Sequence, residues 1–145
     1  MKDHKGFSLL ELLIVVAIIL IIATIAIPSL LRSKQNANEA AAVATMKTIA
    51  AAQVSYSSTG GNYGTLADLV AAKLLDESFL NTAARPKAGY VYTIAANGYD
   101  YTVEANPSSA NAGRYGYYSL PDTVVRYSTV ATLAPTPAQA GRAIH

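Results

Sequence analysis

The sequence predicts an α+β protein in which a long, kinked N-terminal helix packs on a small antiparallel sheet. Three observations support this fold class. An apolar run extends from Phe7 to Ile27 and continues, after Pro28, into a stretch of strong helix formers. A shorter amphipathic segment follows. Two runs of alternating apolar and polar residues then flank Asn97-Gly98, a dipeptide typical of tight hairpin turns.

The long helix is predicted to run from about Phe7 to about Ser57, roughly 75 Å at about 1.5 Å per residue. Between Pro28 and Gly60 the sequence contains neither glycine nor proline. Apolar residues recur there every three or four positions, which predicts a stripe that packs against a globular head. That stripe consists of Val43, Met46, Ala50 and either Gln53 or Val54. Pro28 removes a hydrogen bond inside the helix, so a kink is predicted there.

A connector and a short helix are predicted next. The segment STGGNYG, residues 58–64, contains three glycines but not the lysine and Ser/Thr of a phosphate-binding loop, so it indicates a connector. Thr65 and Asp68 have the spacing of a capping box. The helix they begin would place four apolar side chains on one face, namely Leu66, Leu69, Val70 and Leu74.

The strands complete the predicted head. In the second run of the hairpin, alternation places three side chains on the packed face: Tyr99, Tyr101 and Val103. A third strand-like region lies on both sides of Pro121 and Asp122. The Pro/Ala/Gly-rich tail after Ala134 is predicted to be poorly ordered. The ten tyrosines suit strands and half-buried surfaces.

Composition narrows the classes of function. The chain has 145 residues, a formal net charge of +2 and no cysteine. Its length allows one modest domain beside the apolar run, and its scattered basic residues give no specific nucleic-acid footprint. Disulfides, thiolate catalysis and cysteine-ligated metals are excluded.

Glu11 is the unusual residue of the apolar run. The run is long enough to cross a bilayer, where a carboxylate is costly. One alternative is a secretory signal, with Lys2 and Lys5 as its basic region and cleavage near Ala26; another is a simple uncleaved anchor. Neither alternative explains why the run contains an acid, and the run is longer than the usual apolar region of a signal peptide.

The string KGFSLLELLIVVAIILIIATIAIP resembles the class III signal of type IV pilins and pseudopilins. The resemblance covers roughly the first fifty residues. It implies that a prepilin peptidase cuts after Gly6 and methylates the new N-terminus at Phe7. It also implies that Glu11 assists assembly and that a bend accompanies Pro28. Unlike many relatives, this sequence has no glycine between Phe7 and Pro28.

The resemblance divides the chain into four parts: leader 1–6, membrane and assembly helix 7–28, head-packing helix 29–58, and head 59–145. For Glu11, the hypothesis is a pairing with the Phe7 amine of a neighbouring copy, which would fix the axial register. The alternative is an interaction with the N-terminus of its own helix, where acids are favoured. The two can coexist.

The predicted function is a non-enzymatic pilin subunit that polymerises into an extracellular type IV pilus fibre. The resemblance implies a single-pass precursor in the cytoplasmic membrane, other copies of itself, an assembly ATPase and a platform protein as partners, and the bacterial surface as destination. The alternative is a type II secretion pseudopilin or a minor pilin for DNA uptake or adhesion. We expect no cofactor and no metal, because cleavage would leave His145 as the single histidine and acids are sparse around Asp122.

Overall fold

The computed structural model describes residues 7–80, 84–128 and 142–144. It has a long helix, a short helix, one 3₁₀ turn and five strands, which confirms the predicted α+β class. The helices are α1 (Leu9–Gly60) and α2 (Leu66–Ala71), and the 3₁₀ turn is Glu77–Phe79. The strands are β1 (Tyr90–Ala96), β2 (Tyr101–Pro107), β3 (Gly116–Ser119), β4 (Val125–Ser128) and β5 (Arg142–Ala143). The chain divides into two units, before and after the junction between Ser33 and Lys34.

The first unit contains the apolar part of α1. Every large hydrophobic side chain from Phe7 to Leu31 is exposed, with between 41% and 79% of its surface accessible. This helix is long and apolar enough to cross a membrane, judged by length and composition. Backbone hydrogen bonds are satisfied within a helix, so such a segment can enter hydrocarbon. α1 includes Pro28 in its interior, and the kink there stays a prediction.

The second unit begins with the head-packing part of α1. The side chains that it buries are Glu39, Ala42, Met46, Ile49, Ala50, Ala52 and Gln53. The predicted stripe is therefore confirmed at Met46 and Ala50, and Gln53 is buried whereas Val54 is 53% exposed. α1 continues to Gly60, three residues past the predicted end at Ser57. Gly61 then takes φ +75, a conformation that suits glycine and ends helices.

The five strands form one antiparallel sheet in the order β1-β2-β3-β4-β5. Ala96 pairs with Tyr101, so residues 97–100 form the hairpin turn. The hairpin is confirmed, but the placement of Tyr99 on the packed face was wrong. Gly98 and Tyr99 occupy the centre of the turn, and Tyr99 is 87% exposed. Tyr101 and Val103 are buried as predicted.

Tyrosines form much of the core between the sheet and α1. Tyr90, Tyr92, Tyr101 and Tyr117 lie in one buried cluster with Met46, Ile49, Leu69 and Val103. Burial raises the pKa of Tyr101 to about 12, because the phenolate would lose its hydration. The high tyrosine content is therefore explained mainly by packing of the head.

The connector and α2 close one side of the core. Thr65 and Asp68 form the predicted capping box, and α2 ends at Ala71, short of Leu74. Lys73 then takes φ 59, which terminates the helix. The connector is fixed by Gln53: its Nε2 donates to the Gly64 carbonyl at 2.6 Å, and its Oε1 accepts from the Gly64 N–H at 3.1 Å.

Strand pairing holds part of the C-terminal tail. Arg142–Ala143 adds β5 to the edge of β4, and Ile144 N–H donates to the Val125 carbonyl at 2.9 Å. The expectation of a poorly ordered tail did not include this strand. Most of that expectation falls on residues 135–141, which lie outside the described residues. Backbone hydrogen bonds thus attach the described C-terminal residues to the sheet in a chain without cysteine.

Candidate processing and assembly site

The N-terminus of α1 is capped by its own side chains. Glu11 Oε2 accepts a hydrogen bond from Ser8 N–H at 3.0 Å. Ser8 Oγ accepts from Leu10 N–H at 3.3 Å, and the Ser8 carbonyl accepts from Leu12 N–H at 3.2 Å. This S-x-x-E arrangement satisfies backbone donors that a helix start leaves unpaired, as a capping box does.

The cap supplies the local interaction that the sequence left open as an alternative for Glu11. Ser8 was not among the predicted site residues, although a serine three positions before a glutamate, ahead of an apolar run, is a helix-start signal. Glu11 is exposed, and its Oε1 accepts no hydrogen bond from the described residues. An ionised carboxylate has about four acceptor positions, so the cap leaves capacity for a further donor.

The other predicted site residues are spread along α1. Gly6, the residue before the expected cut, lies outside the described residues. Phe7 precedes the helix and is 79% exposed. Phe7 and Glu11 are four positions apart in the sequence. Pro28 is seventeen residues further on, so it belongs to the shape of the helix and not to this site.

A second polar cluster, in the head unit, fastens α1 to the loop between β2 and β3. Glu39 is 8% exposed and accepts from Arg114 three times: from its backbone N–H at 2.8 Å, from Nε at 3.1 Å and from Nη2 at 3.0 Å. Arg114 Nη2 also donates to Asn36 Oδ1 at 2.6 Å. These bonds to Glu39 raise the pKa of Arg114 above its ordinary value.

The same loop is held by two amides of α1. Gln35 Nε2 donates to the Ala110 carbonyl at 3.1 Å, and Asn38 Nδ2 donates to the Ala112 carbonyl at 2.8 Å. Sequence patterns did not indicate this cluster, because its partners are more than seventy positions apart. It is a structural fastening in which both oxygens of the Glu39 carboxylate accept hydrogen bonds.

The Asp122 carboxylate, around which the sequence places few other acids, is bound by Arg126. The Arg126 guanidinium donates to both carboxylate oxygens, and Val124 N–H donates to Oδ1 at 3.0 Å. These bonds, chiefly those from Arg126, hold the pKa of Asp122 below its usual value. Among the described residues, no three acidic or histidine side chains cluster as a metal site would require.

Residues 1–27 match the family model of the prokaryotic N-terminal methylation motif. The chain is 40% identical over 63 residues to the type IV wide pilus major component PilA4 of Thermus thermophilus, covering 43% of this chain and 48% of that one. It is 30% identical over 123 residues to the type II secretion system core protein G of Escherichia coli, covering 81% and 79%.

The chain belongs to the type IV pilin family. The methylation motif of this pilin-family protein includes three of the four predicted site residues, Gly6, Phe7 and Glu11, and Pro28 follows it directly. The match spans about half the length of the Thermus relative and about four fifths of the Escherichia one. No solved structure matches significantly. The Thermus relative is named as a pilus component and the Escherichia relative as a core protein of a secretion system, which supports a structural subunit of the pilin family.

Proposed function

We propose that the chain is the precursor of a type IV pilus subunit. A prepilin peptidase cuts after Gly6, Phe7 becomes the methylated N-terminus, and the mature protein polymerises into an extracellular fibre. The observation that carries the proposal is the exposed apolar part of α1, which keeps one carboxylate with spare acceptor capacity four residues after Phe7. A discarded signal peptide would need no such carboxylate.

The exposed apolar segment supports storage in a membrane followed by transfer into a fibre. Leu, Ile and Val side chains contact lipid and one another with similar free energies, so exchange of lipid for neighbouring helices has little hydrophobic penalty. The precursor is therefore a single-pass protein of the cytoplasmic membrane, and the fibre lies at the bacterial surface. An assembly ATPase and a platform protein would drive the transfer. The bend at Pro28 belongs to this proposal as the place where α1 adjusts its direction.

Glu11 would set the register between copies. A charged side chain at the membrane centre costs about 2.5 to 3.5 kcal/mol, and somewhat less near the end of the segment, where Glu11 lies. A cation about 4 Å away returns about 4 kcal/mol at an effective dielectric constant of about 20. The mature Phe7 amine of a neighbouring copy is such a cation, and methylation keeps its charge. The Ser8 bond uses Oε2, so Oε1 is available for this second partner.

Mass spectrometry of the native protein tests the processing step. We expect a mature N-terminus at Phe7 that carries one methyl group. A chain that retains Met1 to Gly6, or one cut near Ala26 so that the apolar run is lost, would refute this step.

Two variants test the register. Glu11→Ala should give a membrane-inserted monomer whose fibre yield falls about tenfold or more, where each tenfold step equals about 1.4 kcal/mol. Ser8→Ala is the matched control, because it removes part of the cap and keeps the carboxylate. It should assemble nearly as well as the wild type. Equal defects in both variants would mean that the cap, and not the pairing between copies, is what assembly requires.

A secretion pseudopilin or a minor pilin is the second candidate function. The match to the Escherichia secretion protein favours it, because that match spans 81% of this chain. Abundance distinguishes the candidates. A major pilin should dominate fibres sheared from the cell surface, whereas a pseudopilin or a minor pilin would be present there only in traces.

A further inference from the structure

The turn between β1 and β2 leaves the backbone N–H of Gly98 without an acceptor among the described residues. Asn97 N–H donates to the Asp100 carbonyl at 2.8 Å, and Tyr99 N–H donates to the Asn97 carbonyl at 2.7 Å. The Gly98 carbonyl accepts from Tyr63 N–H at 2.7 Å. Gly98 N–H, in contrast, donates to no acceptor in the parts of the chain that the structure describes.

The Asn97 side chain lies next to this free nitrogen and is open to solvent. Asn97 is exposed, and its amide makes no hydrogen bond with any described residue. Gly98 has φ +63, and a Cβ placed on it would meet no atom within 4 Å. A side-chain carbonyl, a backbone nitrogen without a hydrogen-bond partner and unoccupied space therefore meet at one exposed position.

We propose that Asn97 is a site of spontaneous deamidation in the folded protein. The Gly98 backbone nitrogen attacks Asn97 Cγ, and a C–N bond forms while the Cγ–Nδ2 bond breaks. The amide group leaves as ammonia, taking the proton that the Gly98 nitrogen gives up. Water then opens the five-membered succinimide at either carbonyl. One product has aspartate at position 97, and the other has isoaspartate, in which the main chain runs through Cγ.

Asn62 provides an internal control with the opposite environment. It is also exposed, but the next residue is Tyr63. The Tyr63 N–H is already engaged by the Gly98 carbonyl, and its ring packs against that of Tyr101 with centroids 4.6 Å apart. Attack on Asn62 would need a nitrogen that is hydrogen-bonded and carries a bulky side chain, whereas Gly98 permits close approach because it has no Cβ.

Conversion at Asn97 would change the tip of the hairpin. Both products add a negative charge beside Asp100, next to the exposed ring of Tyr99. Isoaspartate also lengthens the main chain by one methylene group, which displaces the Gly98 carbonyl from Tyr63 N–H. The connector before α2 then loses its hydrogen bond to the hairpin.

The test uses the full chain in detergent micelles, held at mildly alkaline pH and sampled over time. Peptide mapping by mass spectrometry measures aspartate and isoaspartate at each asparagine. We expect Asn97 to convert about tenfold or more faster than Asn62, a barrier difference of about 1.4 kcal/mol. Asn97→Gln is the matched control: its longer side chain would require a six-membered ring, so the conversion at position 97 should be lost.

Hydrogen exchange provides a second readout. The Tyr63 amide should exchange faster in isoaspartate-containing protein than in fresh protein, because its acceptor has moved. Equal conversion rates at Asn97 and Asn62 would overturn the proposal. Conversion at Asn97 that occurs only in urea would also overturn it, because the folded turn would then protect the amide.

Discussion

Replacing Gln53 by methionine should destabilise the head by several kcal/mol. Gln53 is fully buried and satisfies both backbone groups of Gly64, which is buried as well. Methionine has a similar length and fills the same space, so packing is largely kept. It leaves one N–H and one carbonyl without a partner. At about 1 to 3 kcal/mol for each buried unsatisfied group, the loss is about 2 to 6 kcal/mol.

Urea unfolding of the full chain in detergent, followed by near-ultraviolet circular dichroism, measures this loss. All ten tyrosines lie between positions 56 and 127, so the signal reports on the head. Gln35→Met is the matched control, because Gln35 donates one exposed hydrogen bond to the Ala110 carbonyl. That carbonyl can bind water instead, and the cost should not exceed about 1 kcal/mol. Equal losses in the two variants would refute the reasoning.

Gln53→Glu adds a test with a defined sign. A carboxylate keeps an acceptor for Gly64 N–H, but its second oxygen faces the Gly64 carbonyl, and only a protonated carboxyl group can donate there. The folded-state pKa is therefore raised above the unfolded value of about 4.3. The stabilising contribution of the protonated carboxyl group is fully present below the unfolded pKa and is lost as pH rises through the folded pKa. The stability of the variant should approach that of the wild type on acidification. If it does not, the hydrogen-bonding role of residue 53 toward Gly64 is contradicted.

Two further predictions concern close packing and acid stability. Gly113→Ala should destabilise the head by about 1 to 3 kcal/mol, because the new Cβ would lie 2.0 Å from the Tyr90 hydroxyl oxygen. Gly60→Ala is the control: its Cβ would meet no atom within 4 Å, so it should be nearly neutral in the same unfolding assay. Equal losses of stability in the two variants would contradict the close packing at Gly113. The lowered pKa of Asp122 predicts that its pairing with Arg126 stabilises the head above pH 3.8 and that this contribution is lost as pH falls through the folded pKa. The difference in free energy of unfolding between wild type and Asp122→Asn should therefore shrink on acidification, and a difference that is constant with pH would refute the assignment.

Local chemistry made much of the fold predictable. The period of apolar residues predicted the head-packing face of α1, and the spacing of Thr65 and Asp68 predicted the start of α2. Both depend on contacts within a few positions of the chain, so the sequence carries them directly. The same holds at the N-terminus, where Ser8 and Glu11 are three residues apart and cap the helix.

Contacts between residues far apart in the sequence could be identified only from the tertiary structure. Periodicity could not choose between Gln53 and Val54, because the choice depends on where Gly64 presents its backbone. The partnership of Glu39 with Arg114 joins positions 75 apart, and nothing in either segment predicts it. Tyr99 was wrongly placed because pattern alone cannot tell whether a glycine takes the first or the second central position of a turn.

The sequence by itself determined that the chain carries an apolar helix with one acid near its start, since composition and spacing decide whether a segment suits lipid. It also determined the family, because the residues of the methylation motif are contiguous. The tertiary structure decided which polar groups of the head are hydrogen-bonded: Gln53 with Gly64, Glu39 with Arg114, and strand β5 with β4. The physical reason is that a buried donor or acceptor must find a partner wherever folding brings one, at any distance along the chain.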